Sequence, residues 1–364
     1  MVSQIQIQDA ISGTPAVPER AIAIEVERVS KSYSKRWFGL RQNSTDAKPA
    51  LRGVSFRIHE GEMVGLLGPN GSGKTTLLKS ISTLLRVDAG RILVHGENVD
   101  EHPMHIRRSM GLITCDERSF YWRLTGHQNL RFFAALYGIP EHRAEQRAVE
   151  LFERLGLSAA AHRPYHTYST GMRQKMAIAR GLLGDPRVIL YDEPTRSLDP
   201  LSAKNIRDWI VANRVVSKST THLIATNQLV EAEQLCDRVI ILNRGSVIAE
   251  GSVAQIRKRF YERARMIHRV TVAETTRSEE FTPSPEMGLF EVEREAEEPG
   301  AVTLRATTDE SGAGLSTLLA EILRRGVTIR SCETYVAPFD EVFCSLVLGE
   351  SENAARENQA EVGA

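Results

Sequence analysis

The chain has 364 residues, 41% hydrophobic and 25% charged, with 46 basic residues against 46 acidic ones for a formal net charge of zero. Length and composition describe an ordinary globular protein of about two or three domains, and the balanced charge removes any bulk attraction to nucleic acid or to an anionic membrane surface. The longest run free of Asp, Glu, Lys and Arg, from Ser219 to Val230, is about a dozen residues, whereas a membrane-spanning helix needs roughly twenty apolar ones.

Residues 1–21 carry Gly13, Pro15 and Pro18 without sustained periodicity and predict a flexible tail. They show no basic segment followed by an apolar one, so no secretory signal is expected. Ile22, Ile24 and Val26 alternate as in a strand, and Val54 and Phe56 lead a second strand into the turn His59-Glu60-Gly61. The polar stretch over residues 34–49 reads as a surface insertion between them. Strands follow at 63–67, 91–95, 187–191, 222–226 and 239–243. A helix begins at Lys74 with an apolar face of Leu77, Leu78, Ile81, Leu84 and Leu85, and the pattern between Glu141 and Gly184 is helical. This alternation predicts an α/β domain with a mostly parallel sheet over residues 22–256, carrying an inserted helical subdomain at about 115–184. Beyond Gly251 the composition shifts to Arg and Glu, and Pro283, Pro285, Pro299 and Gly300 interrupt it. A small α+β domain is expected over 262–349, with strands at 267–272, 301–306 and 328–335 and a helix at 315–325. A second flexible tail is expected over 350–364. Cys115, Cys236, Cys332 and Cys344 form no CxxC pair and no disulfide framework, as in a reducing cytosol.

The most specific motif is Gly68-Pro69-Asn70-Gly71-Ser72-Gly73-Lys74-Thr75, which fits G-x-x-x-x-G-K-[ST] and follows the apolar strand Met63-Val64-Gly65-Leu66-Leu67. Glycines let such a loop wrap until successive backbone N–H groups converge on phosphate, and the helix starting beside Lys74 adds the positive end of its dipole. Lys74 then reaches the β- and γ-phosphates of a nucleotide, and Thr75 offers its hydroxyl to Mg²⁺. A second apolar run, Val188-Ile189-Leu190-Tyr191, ends in Asp192-Glu193-Pro194-Thr195. Asp192 suits the Mg²⁺ shell, and Glu193 suits the positioning of a water for in-line attack at the γ-phosphorus.

With these motifs the chain resembles the ATP-binding cassette (ABC) transporter ATPases, in particular the ATP-binding subunits of export-type systems, over about residues 22–256. Tyr168-Ser169-Thr170-Gly171-Met172-Arg173-Gln174 resembles the family signature in its Ser-Thr-Gly-Met form. The resemblance implies that Ser169 and Gly171, at a helix start, hold the γ-phosphate bound by an opposite subunit, so that two cassettes complete each site. Ser197-Leu198-Asp199-Pro200 resembles the D-loop, with Asp199 communicating across the dimer. Tyr33 resembles the aromatic that stacks on adenine, and Thr76 belongs by the same resemblance to the nucleotide-binding set.

Two positions depart from the family pattern. Asn227 stands where a switch histidine is usual, and it can donate a hydrogen bond to a γ-phosphate oxygen but cannot carry a proton charge. Cys115-Asp116-Glu117 stands where the Q-loop glutamine is usual; by spacing Asp116 is the counterpart, and as an acid, shorter than glutamine and charged, it can still ligate Mg²⁺. The resemblance implies an ATPase with ATP and Mg²⁺ as cofactors, powering export through a separate transmembrane permease at the inner face of the cell membrane, with a second ATP-binding subunit as partner and no nucleic acid. Asn227 and Asp116 favour the alternative of a weakly hydrolytic, nucleotide-gated regulatory subunit of an asymmetric pair. A soluble cassette acting on DNA or ribosomes fits less well, since one cassette and no heptads are present.

Two further segments stand out. Phe120, Tyr121, Trp122, Phe132, Phe133 and Tyr137 crowd into one stretch. Phe132, Phe133 and Tyr137 lie in a helical pattern that suits a core, whereas the Phe120-Tyr121-Trp122 triplet, flanked by Arg118 and Arg123, is expected to line the groove where a permease docks. Phe339, Val342, Phe343 and Leu346 are spaced for a short closing helix, also a feature of the accessory domain in export-type subunits.

Overall fold

The computed structural model describes residues 20–33, 48–114, 119–216, 219–263, 266–273, 288–298, 300–308, 313–335 and 339–348. The tails expected at either end, up to residue 19 and from residue 349, lie outside these residues. So do the insertion over 34–47 and the Cys115-Asp116-Glu117 segment. The chain divides into two compact units, residues 1–237 with 242–247, and residues 238–241 with 248–364.

In chain order the elements as far as the division are β1 (Ile22–Tyr33), β2 (Lys48–His59), β3 (Met63–Leu67), α1 (Lys74–Ile81), β4 (Ala89–Val94), β5 (Glu97–Asn98), α2 (Pro103–Ser109), β6 (Met110–Thr114), α3 (Gly126–Leu136), α4 (Glu141–Arg154), α5 (Thr170–Leu182), β7 (Val188–Asp192), α6 (Pro200–Val216), β8 (Thr221–Thr226) and α7 (Leu229–Leu235). They are followed by β9 (Arg238–Asn243) and β10 (Ser246–Gly251). Two sheets result. An antiparallel one runs β2-β1-β4-β5, with Val26 of β1 opposite Phe56 on one side and Ile92 on the other. The expected parallel sheet holds β3-β8-β7-β6 in that order, parallel throughout. Its strands β3 and β8 are buried at every residue, as strands covered on both faces must be.

The register carries the function. Leu67 pairs with Thr226, Asp192 pairs with Ala225, and Thr114 pairs with Asp192, so the C-terminal ends of β3, β8, β7 and β6 finish on one line. Open α/β sheets bind ligands at that edge, because loops and helix N-termini meet there.

The inserted helices pack around a core that includes Leu130, Leu151, Phe152, Tyr165, Tyr168 and Met176. Thr125 and Gln128 cap α3 reciprocally, each side chain bonded to the other's backbone N–H. Three readings need correction. The helix from Lys74 stops at Ile81, and Thr83 beyond it takes a left-handed φ of 63°, so Leu84 leaves the apolar face and is 59% exposed. The aromatic triplet divides: Phe120 is buried, stacked on Tyr165 at 4.8 Å and under the Arg180 guanidinium at 5.0 Å, while Tyr121 and Trp122 are exposed. In the helical group Phe132 and Phe133 are half-buried, but Tyr137 is exposed rather than part of the core.

The second unit contains α8 (Val253–Arg263), β11 (Met266–Ala273), β12 (Leu289–Glu298), β13 (Ala301–Thr308), α9 (Ala313–Arg324) and β14 (Ile329–Tyr335). Its antiparallel sheet runs β12-β13-β11-β14, and β11 alternates, with His268, Val270 and Val272 buried. Leu318 and Ile322 of α9 cover that face with Leu304. Residues 339–348 form the expected closing helix, with Phe339 and Val342 buried. Among the described residues no helix is long and apolar enough to cross a membrane.

Candidate functional site

Glycine is required where the phosphate loop turns into α1. Gly73, the residue before the helix, has a φ of 109°, and a Cβ there would lie 2.5 Å from the Ala50 carbonyl oxygen. A Cβ on Gly68 would overlap the Leu242 carbonyl oxygen. Only a residue without a side chain lets the loop pass so close to its neighbours.

Inside the loop Lys74 is 5% exposed, and its Nζ donates to the carbonyl oxygens of Gly68 at 2.7 Å and Pro69 at 3.2 Å. Burial pulls its pKa below the ordinary lysine value, and the carboxylates of Glu193 and Asp192 oppose that fall. Ser72 Oγ is buried without a hydrogen-bond partner, close to where a Cβ on Gly68 would sit. An orphaned donor inside a cradle kept open by glycine, next to a buried ammonium, fits a phosphate. Tyr33, exposed at the end of β1, brings its hydroxyl to 3.5 Å from Thr76 Oγ1 in the first turn of α1.

Thr75 Oγ1 donates to Asp192 Oδ1 at 3.2 Å, which joins the start of α1 to the end of β7. Burial is the main cause that raises the Asp192 pKa, and the neighbouring Glu193 adds to it; the Thr75 hydrogen bond, Lys74 and Lys79 work the other way. A hydroxyl and a carboxylate, both hard oxygen donors, suit Mg²⁺ held together with substrate phosphates. Asp116, the third expected metal ligand, lies outside the described residues.

Glu193 adopts a left-handed φ of 53°, a strained conformation for a side-chain-bearing residue. It is anchored from two directions. Its N–H donates to the Ala225 carbonyl at 2.8 Å, and its Oε2 pairs with Arg196 Nη1 at 3.0 Å. Across the strand ends Asn227 Nδ2 donates to Asn70 Oδ1 of the phosphate loop at 3.2 Å. The fold thus brings together the 68–76 loop, Asp192, Glu193 and Asn227.

Ser169 and Gly171 lie at the start of α5, Ser169 as the residue before the helix and Gly171 in its first turn. The Ser169 hydroxyl caps that helix by accepting from Met172 N–H at 3.3 Å, and Ser169 is exposed. A Cβ on Gly171 would meet Ser202 Oγ at 3.2 Å. Asp199 caps α6, accepting from the N–H groups of Leu201 and Ser202 at 3.1 and 3.0 Å. Hydrogen bonding to Ser202 is the leading cause that lowers its pKa.

Three partners of the site escaped sequence reasoning: Arg196 on Glu193, and the buried pair Thr195 and Glu231 behind the acidic turn. An acid in a short helix ordinarily reads as a solvated side chain, and only the fold shows Glu231 to be fully buried.

Such a loop, between a buried strand and its helix and beside acids that end the adjacent parallel strand, is how P-loop nucleoside-triphosphate hydrolases are built. The ABC transporter family profile matches residues 51–196. The chain is 39% identical over 238 residues to the doxorubicin resistance ATP-binding protein DrrA of Mycobacterium tuberculosis (strain CDC 1551 / Oshkosh), covering 65% of this chain and 68% of that protein. It is 33% identical over 312 residues to the daunorubicin/doxorubicin resistance ATP-binding protein DrrA of Streptomyces peucetius, covering 86% and 92%. Among solved structures, cbiO1 of Clostridium perfringens, part of the transporter complex cbiONQ, superimposes with a TM-score of 0.55 at 27% identity, covering 66% of this chain and 96% of that one. The dimeric cassette MJ0796 bound to ADP and Pi gives 0.55 at 25% identity, covering 63% and 98%. The chain belongs to the ABC transporter ATP-binding proteins. It is an ATP-binding, ATP-hydrolysing subunit of the export type, and such subunits dimerise and act with transmembrane permeases.

Proposed function

We propose that residues 22–256 form an ATP-binding domain that works in pairs on a separate transmembrane permease at the inner face of the membrane, with residues 262–349 as an accessory domain. The carrying observation is the common line of strand ends, which supports one reaction centre made of the 68–76 loop, Asp192, Glu193 and Asn227. The loop N–H groups and Ser72 cradle the phosphates, Lys74 supplies a fixed positive charge to the β- and γ-phosphates, and Tyr33 stacks on adenine. Thr75 and Asp192 would hold Mg²⁺, which neutralises charge building on the phosphates when bound. Glu193 orients the attacking water and accepts its proton, and Asn227 Nδ2 donates to a γ-phosphate oxygen. Ser169 and Gly171 complete the site of the opposite cassette, with Asp199 at the same junction. Tyr121 and Trp122 meet the permease.

Two variants test the assignment. Lys74→Ala is expected to abolish ATP binding, while Glu193→Gln keeps binding, loses turnover and, with Mg-ATP, moves from monomer to dimer on sizing. Equal loss of binding in both variants overturns the roles given to Lys74 and Glu193.

A further inference from the structure

Glu231, in the first turn of α7, is fully buried, yet no function has been given to it. Its Oε1 accepts a hydrogen bond from the hydroxyl of Thr195, itself 2% exposed and two residues beyond Glu193. Its Oε2 is buried with no hydrogen-bond partner. An ionised carboxylate so placed would be costly, because desolvation outweighs the neutral hydroxyls that face it. Burial accordingly pushes the Glu231 pKa up, against the hydroxyls of Thr195 and Thr226 and the charge of Arg207.

The surroundings of this carboxyl are the two loops of the reaction centre. Thr195 closes the acidic turn after β7. On the other side, Glu231 N–H donates to the Gln228 carbonyl at 3.2 Å, and Gln228 N–H donates to Thr226 Oγ1 at 2.9 Å. Gln228 Oε1 also lies 3.5 Å from Thr195 Oγ1. Asn227 sits between Thr226 and Gln228, with its amide on Asn70. The Thr195 hydroxyl thus ties the Glu193 loop to the Asn227 loop at two points, the Glu231 carboxyl and the Gln228 side chain, and the backbone of Glu231 is itself bonded to Gln228.

We propose that Glu231 is a positioning residue that fixes the separation of Glu193 and Asn227 through its bond to Thr195. The inference rests on the roles proposed above for Glu193 and Asn227. It gives the buried acid a purpose that packing alone would not require, since a leucine would fill the same place without an unpaired oxygen.

The test uses the full chain and measures kcat, KM for ATP and nucleotide affinity for Glu231→Gln, Glu231→Leu, Thr195→Val and the Thr195→Val/Glu231→Leu double variant. Glu231→Gln, which keeps the shape and the acceptor, is expected to stay within about twofold of the parent kcat. Glu231→Leu and Thr195→Val are each expected to lower kcat about tenfold, with KM and affinity changed less than about twofold. The double variant should lose no more than either single, because both act through one bond. Parent-like kcat in Thr195→Val overturns the proposal, and so does a Glu231→Gln variant as slow as Glu231→Leu. Parallel loss of kcat and affinity overturns it as well, by marking a general packing defect. If Glu231→Leu fails to fold, Thr195→Val decides alone. Glu193→Gln in the parent separates the two layers: an active Glu193→Gln refutes the role of Glu193 itself, whereas an inactive one beside a normal Thr195→Val refutes only the role of Glu231.

Discussion

Acidification should destabilise this fold in part through His222, at the second residue of β8. The ring is fully buried, its Nδ1 lies 3.3 Å from the Tyr191 hydroxyl, and its Nε2 has no partner. Burial, assisted by the positive charge of Arg214 and opposed by Asp237, brings its pKa from an ordinary 6.5 down to about 4. The folded state therefore holds the neutral ring, and protonation favours unfolding. Stability is complete above about pH 6.5, declines as pH falls towards 4, and levels off below that. That fall from 6.5 to about 4 corresponds to about 3 kcal/mol in total, of which about 2 kcal/mol is lost by pH 5. His222→Gln removes the titration while keeping an acceptor for Tyr191. Chemical denaturation of both proteins between pH 7.5 and 5 should show the parent losing about 2 kcal/mol more than the variant. Other titrating groups cancel in that difference. Parallel stability curves would refute the account.

Asn227→His is expected to raise kcat with little change in nucleotide affinity, because a protonated ring binds a γ-phosphate oxygen more strongly than an amide does; a fall in kcat would show that the site is built around the amide contact to Asn70. Gly73→Ala should cost roughly 1–3 kcal/mol in unfolding measurements and weaken ATP binding, since the new Cβ meets both a left-handed φ and the Ala50 carbonyl; unchanged stability and affinity would contradict that. Phe120→Ala should lower stability by roughly 3–5 kcal/mol by emptying its place between Tyr165, Phe133 and Arg180. Trp122→Ala should spare folding and the ATPase activity of the isolated subunit while weakening co-purification with a permease, and an intact complex would return Trp122 to an ordinary surface role.

Much of the fold was legible because its signals are local. Strands β3 and β7 are short apolar runs that lead into glycine and acid, and their burial follows from that composition. Strand β12 is hidden because six of its ten residues are charged, as LFEVEREAEE shows, and its place depends on pairing with β13. Pairing between distant segments leaves no mark in either one. Helix α1 was read too long for a related reason: Leu84 and Leu85 keep the helical spacing, but Thr83 turns left-handed and Leu84 ends in solvent.

The candidate site divides along the same line. The 68–76 loop and Asp192-Glu193 could be found because backbone geometry forces particular residue types into consecutive positions: Gly73 must lack a Cβ, and the residue after it must start a helix. Thr195 and Glu231 answer to a different constraint, set by two loops that meet only when β7 and β8 are already in register, Asp192 beside Ala225. The same register supplies the Ala225 carbonyl that holds Glu193 N–H, so alignment of the two strands fixes the backbone at Glu193 and the bond from Thr195 fixes the turn that follows it. A centre for γ-phosphate chemistry needs both, because rate depends on where a water is held to within a fraction of an ångström. The strained φ at Glu193 would relax if either tie were cut, which makes kcat, rather than ATP affinity, the quantity most exposed to changes at residues that never touch the nucleotide.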